Sequence, residues 1–334
     1  MIDSNILAWL KDTLGNHDIA LTTINGGANN QGYRVDSFNE QFFLKCFAPH
    51  EPRSLNKLQN EYVFTQHLNK TDIHNAAKPI ACNNILKCAL YTFIAGQPIL
   101  VLKDYHIDAA LEFIENVNDP NNIIDSLPEA SESPETLYGF IEIIEKRLTR
   151  FNNLELDDNN QLHALLNSIR SRTQEIAQHA TPIWHDKLPK TLLSPSDFGF
   201  HNAIEASTGI HFIDFEYAGR DNAWKLLSDF FAQPAIPVPI SHITKFIASP
   251  IFSEINLRRQ EFRTIYELTL MKWCLIMLNE FIPDIEKRRL FSWNNSCLES
   301  NNNLISEKKQ SQLKKSVRYF ANIPEKLNTL DRYL

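Results

Sequence analysis

The sequence predicts an α+β protein with a small strand-rich N-terminal lobe and a larger helical C-terminal lobe. Three observations predict it. Residues 20–95 break into short apolar runs bounded by turn residues. From residue 96 onward the apolar spacing becomes helical. The chain, at 334 residues, is too long for one simple core. At 43% hydrophobic and 22% charged residues, the composition is that of an ordinary globular protein. A formal charge of −7 argues against nucleic acid as the main partner, because phosphate backbones attract basic surfaces. No apolar run reaches the roughly 20 residues a membrane span needs. The opening "MIDSNILAWLKDTLGN" lacks a basic segment followed by an apolar core, so no secretory signal is predicted. Cys46, Cys82, Cys88, Cys274 and Cys297 form no CxxC pair and no zinc spacing. They predict free, mostly buried thiols in a reducing cytoplasm.

Residues 1–21 are expected to hold a short amphipathic helix. Asp3 or Ser4 caps it, Leu7, Leu10 and Leu14 face inward, and Gly15 ends it. Residues 22–95 form the first lobe. "ALTTI" leads through "NGGANNQGYRVDSF" into "EQFFLKCFA", each read as strand. "LNKLQNEYVFTQHLNK" carries Leu55, Leu58, Tyr62 and Leu68 at helical spacing. "CALYTFIAGQPI" is a strand running into a turn at Gly96 and Pro98, and a connector falls near residues 94–98. Residues 96–334 form the helical lobe. After the acidic loop "NDPNNIIDSLPEASESPE", Ser133 as cap and Pro134 at the first position start a helix with the stripe Leu137, Phe140, Ile141, Ile144, Leu148 and Phe151. "NNQLHALLNSIRSRTQEIAQHA" is a further helix, and "NNSCLESNNN" is expected to be an exposed connector.

The densest stretch is "LSPSDFGFHNAIEASTGIHFIDFEYAG", residues 193–219. If Asp197 were the metal Asp of a protein kinase, an Asp-x4-Asn loop would precede it. The upstream candidate, Asp186, has Thr191 rather than Asn five residues on. If Asp197 is instead a catalytic base, Asn202 stands five residues on, at the required spacing. "NAIE" and "IHFID" then form a hairpin that brings Asp214 back beside Asn202. Carboxylate and amide oxygens suit a hard cation such as Mg²⁺. Phosphoryl transfer needs that cation on the nucleotide phosphates and a carboxylate to take the acceptor proton.

Lys45 interrupts the apolar strand "FFLKCF" and shares a face with Phe43 and Phe47. A lysine there needs a counter-charge, and Glu61 on the following helix is available. Such a lysine reaches nucleotide phosphates as a point charge. Gly26, Gly27 and Gly32 before the strand let backbone amides approach phosphates.

Together these residues resemble the aminoglycoside phosphotransferase and choline kinase family, which has a protein-kinase-like fold. "SPSDFGFHN" and "FIDFE" match its pattern His-Gly-Asp-x4-Asn followed by a strand ending Ile-Asp-[Phe/Trp]. The resemblance covers roughly residues 22–232. It implies Asp197 as catalytic base, Asn202 and Asp214 as Mg²⁺ ligands, and Lys45 with Glu61 as the phosphate lysine and its partner. It implies a site for the adenine ring at the backbone of Phe93–Ala95, in "YTFIAGQPI", with ATP, or alternatively GTP, as the nucleotide. The acceptor is expected to be a small hydroxylated molecule: a sugar, an amino alcohol or an aminoglycoside. Two departures stand out. Pro195 occupies the family's His position, and Lys225 stands about where an Asp is usual, with Asp221 or Asp229 as the substitute. Acceptor candidates are Glu216, Tyr217 and Asp221, with the later helix "LTLMKWCLIMLNEF", whose Lys272 and Glu280 are read as lying on a solvated stripe. The alternative is a non-catalytic nucleotide-binding protein on the same fold. A protein kinase is disfavoured by the lack of an Ala-Pro-Glu segment. The oligomeric state is left open.

Overall fold

The computed structural model describes residues 2–24, 29–122, 127–152, 160–285, 291 and 298–334. Helix α1 is Ser4–Leu14; the Asp3 carboxylate accepts the Asn5 N–H at 2.7 Å, and Gly15 at φ 60° closes its end. Strands β1 (Ile19–Ile24), β2 (Gln31–Ser37) and β3 (Glu40–Cys46) follow, then helix α2 (Ser54–Lys70) and strands β4 (Pro79–Asn83), β5 (Cys88–Thr92) and β6 (Gly96–Pro98). Helices α3 (Asp104–Val117), α4 (Gly139–Thr149) and α5 (Asn160–Gln178) come next. Strands β7 (Leu192–Ser194), β8 (Ala203–Ala206), β9 (Gly209–Phe212) and β10 (Gly219–Asp221) precede α6 (Ala223–Ala232), α7 (Ile243–Ile247), α8 (Ser253–Leu257) and α9 (Arg259–Met277). The chain ends in α10 (Leu298–Ala321) and α11 (Ile323–Leu330). Among the described residues no helix is long and apolar enough to cross a membrane.

By its contacts the chain divides into two units, and the division does not follow chain order. The first comprises Met1–Leu100, Phe200–Ala218 and Lys287–Leu298; the second comprises Val101–Gly199, Gly219–Glu286 and Glu299–Leu334.

In the first unit an antiparallel sheet runs in the order β1-β2-β3-β5-β4. Strand β3 alternates between two cores, as the two-residue period of a strand requires. Phe42, Leu44 and Cys46 join Val35, Leu90 and the α1 residues Ile6 and Leu10 on one face. Phe43 and Phe47 join Leu58, Ala89 and Tyr91 on the other, against α2. In α1 it is Ile6 and Leu10 that are buried, while Leu7 is half-buried. The segment expected to turn at Gly96 and Pro98 is instead strand β6, which pairs with β8 at the edge of a sheet ordered β6-β8-β9. A Cβ on Gly96 would lie 2.5 Å from the Glu205 carbonyl oxygen, so glycine permits the close pairing. Pro98 is tolerated because its strand lies at an edge. Strands β8 and β9 form a hairpin in register Ala203↔Phe212, with Gly209 at φ 116° leaving the turn.

The second unit is mainly helical. Its core contains the fully buried rings of Trp224, Phe230, Phe231, Phe246, Phe252, Phe262 and Tyr266. Two elements differ from expectation. Helix α4 begins at Gly139, not at Pro134, and Ser133 does not cap it. The preceding segment runs alongside other backbone: Glu129 bridges to Arg220 and Thr136 to Lys187, and the Thr136 hydroxyl accepts the Gly139 N–H at 3.0 Å. The stretch expected as a connector over residues 294–303 is helical from Leu298, the start of α10; residues 294–297 lie outside the described residues. Cys46, Cys88 and Cys274 are buried free thiols and Cys82 is a half-buried one; Cys297 lies outside the described residues.

Candidate active site

The first unit gathers an alternating chain of buried and partly buried charges. Lys45, on the α2 face of β3, is 6% exposed, and its Nζ donates to Glu61 Oε2 at 2.6 Å and to Asp214 Oδ1 at 2.5 Å. Lys57, one helical turn before Glu61, pairs with Glu51 at 3.2 Å and with Glu216 at 3.2 Å. The Asn30 side-chain amide donates to the other Glu216 oxygen at 2.7 Å. The segment after β9 docks on α2 by alternation: Asp214 and Glu216 reach the lysines, while the Phe215 ring meets Phe64 at 4.9 Å. The Lys57 ammonium also lies over the Tyr217 ring at 4.8 Å.

This cluster sets two ammoniums, Lys45 and Lys57, against the four carboxylates of Glu51, Glu61, Asp214 and Glu216. Burial by itself would pull Lys45 down, but Asp214 and Glu61 hold its ammonium above the usual lysine range. Burial would push Glu216 up, but Lys45, Lys57 and the Asn30 amide hold it below the usual carboxylate range. Glu61 goes the other way. Burial pushes it up to about 7, assisted by negative Asp214 and Glu216 and opposed by Lys45. In the unfolded chain it ionises near 4.5, so the fold takes up a proton between these values. This group's contribution is therefore fully present below about 4.5 and is lost as pH rises through about 7. Glu61→Gln is expected to flatten that decline, read as the difference in Tm between wild type and variant across the same pH range. An unchanged slope would show that Glu61 does not titrate there.

Asn202 closes a short helical turn, Phe200–Asn202, and its carbonyl accepts the Ile213 N–H at 3.0 Å. The hairpin thus brings the Asn202 and Asp214 backbones alongside each other. Strand β9 ends at Phe212, two residues earlier than expected, and Asp214 adopts φ 67°. That left-handed conformation is sparsely populated by residues other than glycine, although Asp tolerates it better than most. Beyond β5, the Phe93 N–H donates to the Gln41 carbonyl at 3.2 Å, and Ala95 is exposed. Gly26 and Gly27 lie outside the described residues, and a Cβ on Gly32 would come within 3.0 Å of the Phe43 ring.

Asp197 belongs to the second unit, half-buried in the loop after β7. Two anchors hold this loop. Asn118 accepts the Leu193 N–H at 2.7 Å and donates to the Leu193 carbonyl at 3.1 Å. The Phe198 ring stacks between Phe113 at 5.8 Å and Phe230 at 5.2 Å. Ser196, just before Asp197, adopts φ 68°. Lys225 is 3% exposed and donates to Asp221 at 3.0 Å and to the Ser196 hydroxyl at 2.8 Å; Asp229 lies 3.6 Å away and also pairs with Lys272. Burial would pull Lys225 down, but Asp221 and Asp229 hold it above its usual range.

Several acceptor candidates are corrected by their burial. Asp221 is 0% exposed and Glu216 is 2% exposed, both inside ion-pair networks, because each faces a buried ammonium. Lys272 and Glu280 do not lie on a solvated stripe: each is 8% exposed, and each has an opposite charge, Asp229 and Lys308 respectively. Lys57, Asn30 and Ser196 were not singled out by sequence. Lys57 was detectable as a charge one turn before Glu61; nothing local signals the other two.

A family model described as the phosphotransferase enzyme family matches residues 20–225, a span that includes Lys45, Glu61, Asp197, Asn202 and Asp214. The chain belongs to the phosphotransferase enzyme family. Solved structures agree at the level of fold. A spectinomycin phosphotransferase in complex with ADP and spectinomycin is similar over 96% of this chain and 98% of its own, at 14% identity and a TM-score of 0.57. Choline kinase LicA from Streptococcus pneumoniae is similar over 96% of this chain and 100% of its own, at 15% identity and TM-score 0.56. A choline kinase from Cryptosporidium parvum covers 99% of both chains at 13% identity and TM-score 0.52. No curated protein sequence matches the chain. This phosphotransferase therefore has the α+β, kinase-like fold expected from its sequence, with an antiparallel N-terminal sheet and helices beyond it.

Proposed function

We propose that this phosphotransferase is a small-molecule kinase, moving the terminal phosphoryl group of ATP or GTP to a hydroxyl of a sugar, amino alcohol or aminoglycoside-like acceptor. The observation that carries the reading is Lys45, buried and held charged between Glu61 and Asp214. A buried lysine aimed by two carboxylates is a pre-set point charge for phosphate oxygens. In this reading residues 22–95 bind the nucleotide, with the backbone near Phe93–Ala95 against the base. Residues 96–334 supply the catalytic loop and the acceptor contacts. Asp197 accepts the proton of the attacking hydroxyl and aligns it.

Mg²⁺ fits the donor set. Asp214 and Asn202 offer a carboxylate and an amide oxygen, the hard ligands this ion takes. Among the described residues no group of three or more His, Cys, Asp or Glu is placed to hold a metal. Mg²⁺ is commonly held by one or two carboxylates together with substrate phosphates. When bound, the ion would neutralise charge on the phosphates. The chain's residues would do the positioning that most phosphoryl-transfer catalysis requires. A cytoplasmic location belongs to the same proposal and rests on the cysteine spacing.

The test is a consumption screen with ATP and GTP against sugars, amino alcohols and aminoglycosides, with and without Mg²⁺. Mg²⁺-dependent consumption with at least one acceptor is expected. Asp214→Asn should abolish both that turnover and the rise in Tm on adding Mg²⁺ and nucleotide. Pro195 favours a second reading, a nucleotide-binding protein without turnover. Nucleotide-dependent stabilisation with no consumption by any acceptor would select it.

A further inference from the structure

We propose that Lys225 is a positioning residue of the catalytic loop: its buried ammonium clamps the Ser196 hydroxyl and thereby fixes Asp197. The proposal rests on the phosphotransfer reading for its meaning, but the clamp itself is a local structure within the second unit.

Pro195 has no backbone N–H and no polar side chain, so the residue two before Asp197 cannot donate a hydrogen bond to the loop. The brace falls on Ser196 instead. Its N–H donates to the fully buried Ser194 hydroxyl at 3.0 Å, and its own hydroxyl accepts Lys225 Nζ at 2.8 Å. Both handles of Ser196 are therefore held, in a left-handed conformation that a residue with a Cβ does not favour. Asp197 is the next residue, so its position follows from that torsion.

The ammonium is itself aimed. Asp221, in β10 beside β7, gives one oxygen to Lys225 at 3.0 Å. Its other oxygen accepts the Ser133 hydroxyl at 2.7 Å and the Asn222 N–H at 2.9 Å. Asn222 in turn caps α6 by accepting the Lys225 N–H at 2.9 Å. On the far side Asp229 stands between Lys225 and Lys272. Two ammoniums thus meet two carboxylates, with Glu132, paired to Arg147, also acting on both lysines. Of the three N–H donors of the Lys225 ammonium, one goes to Asp221 and one to the Ser196 hydroxyl, while Asp229 attracts it from 3.6 Å.

The experiment compares wild type, Ser196→Ala, Ser196→Gly and Lys225→Met in the full chain. It reads kcat, KM for the nucleotide, Tm, and hydrogen exchange of residues 192–199. Ser196→Ala is expected to lower kcat by about tenfold or more while KM changes little, since a small misplacement acts on the reacting geometry. Exchange across the loop should rise by a similar factor while Tm is kept. Ser196→Gly should behave alike, because it relieves the torsion but removes the hydroxyl. Lys225→Met should repeat the kinetic effect with a lower Tm, and if it fails to fold the serine variants decide alone. Wild-type kcat and wild-type exchange in Ser196→Ala would overturn the clamp, as would Ser196→Gly restoring both. If the wild type turns over no acceptor, the phosphotransfer reading falls, and the exchange measurement alone then upholds or overturns the clamp.

Discussion

Asp197→Asn is expected to lower kcat by about 10³-fold while leaving the fold intact. The substitution keeps the side chain's size and one carbonyl oxygen but removes the group that accepts a proton. The loop's course has anchors outside that group. It is held by Asn118 on the Leu193 backbone, by Phe198 between Phe113 and Phe230, and by Ser196 through its two hydrogen bonds. The Tm should therefore stay within a few degrees, the scale of a surface change well under 1 kcal/mol. Steady-state kinetics on an acceptor from the screen, with a thermal melt of the same sample, check this. A variant with wild-type kcat would remove Asp197 from the chemistry and leave the proposed function without a base.

Lys45→Met should lose both turnover and stability, and the two losses should separate. The substitution strands Glu61 and Asp214 beside an apolar side chain, and Glu61 is only 5% exposed. Measured well above pH 7, where Glu61 is ionised in the fold, removing one partner of a buried ion pair costs about 3–5 kcal/mol because the remaining charge has no partner. The partly exposed Asp214 carboxylate places the expected loss toward the lower end of that range. Pairing Lys45→Met with Glu61→Gln removes the stranded charge, so the double variant should regain most of the lost stability. It should remain inactive, because the ammonium proposed to meet the phosphates is gone. Denaturant unfolding and nucleotide consumption, measured on all three variants, test this. A double variant as unstable as Lys45→Met would mean that packing, not charge, dominates at this position. A double variant that regained turnover would refute the phosphate role of Lys45.

The candidate site was legible in sequence wherever chemistry requires fixed residue types at fixed spacing. The five-residue step from Asp197 to Asn202, the apolar strand before Asp214 and the lysine breaking "FFLKCF" are of this kind. The strand period also put Lys45 on the face of Phe43 and Phe47, where the structure has it, against α2. The misreadings share a cause. Gly96 and Pro98 look like turn residues, yet β6 is a strand because Gly96 admits the β8 backbone and Pro98 sits at an edge. Ser133 looks like a cap, yet its hydroxyl is engaged by Asp221, 88 residues away.

From the sequence alone came the class of fold, the strand-rich start and helical remainder of the chain, and the residue types proposed for phosphoryl transfer. These depend on periodicity and spacing, which are local properties of a chain. Tertiary structure decided which charges are buried and with whom: Lys57 with Glu216, Lys225 with Asp221 and Ser196, and Lys272 with Asp229. A lone Lys or Asp in a helical pattern reads as solvated, because an unpaired charge is costly to bury. Only the fold, by bringing distant opposite charges within about 3 Å of one another, removes that cost and turns surface residues into interior ones.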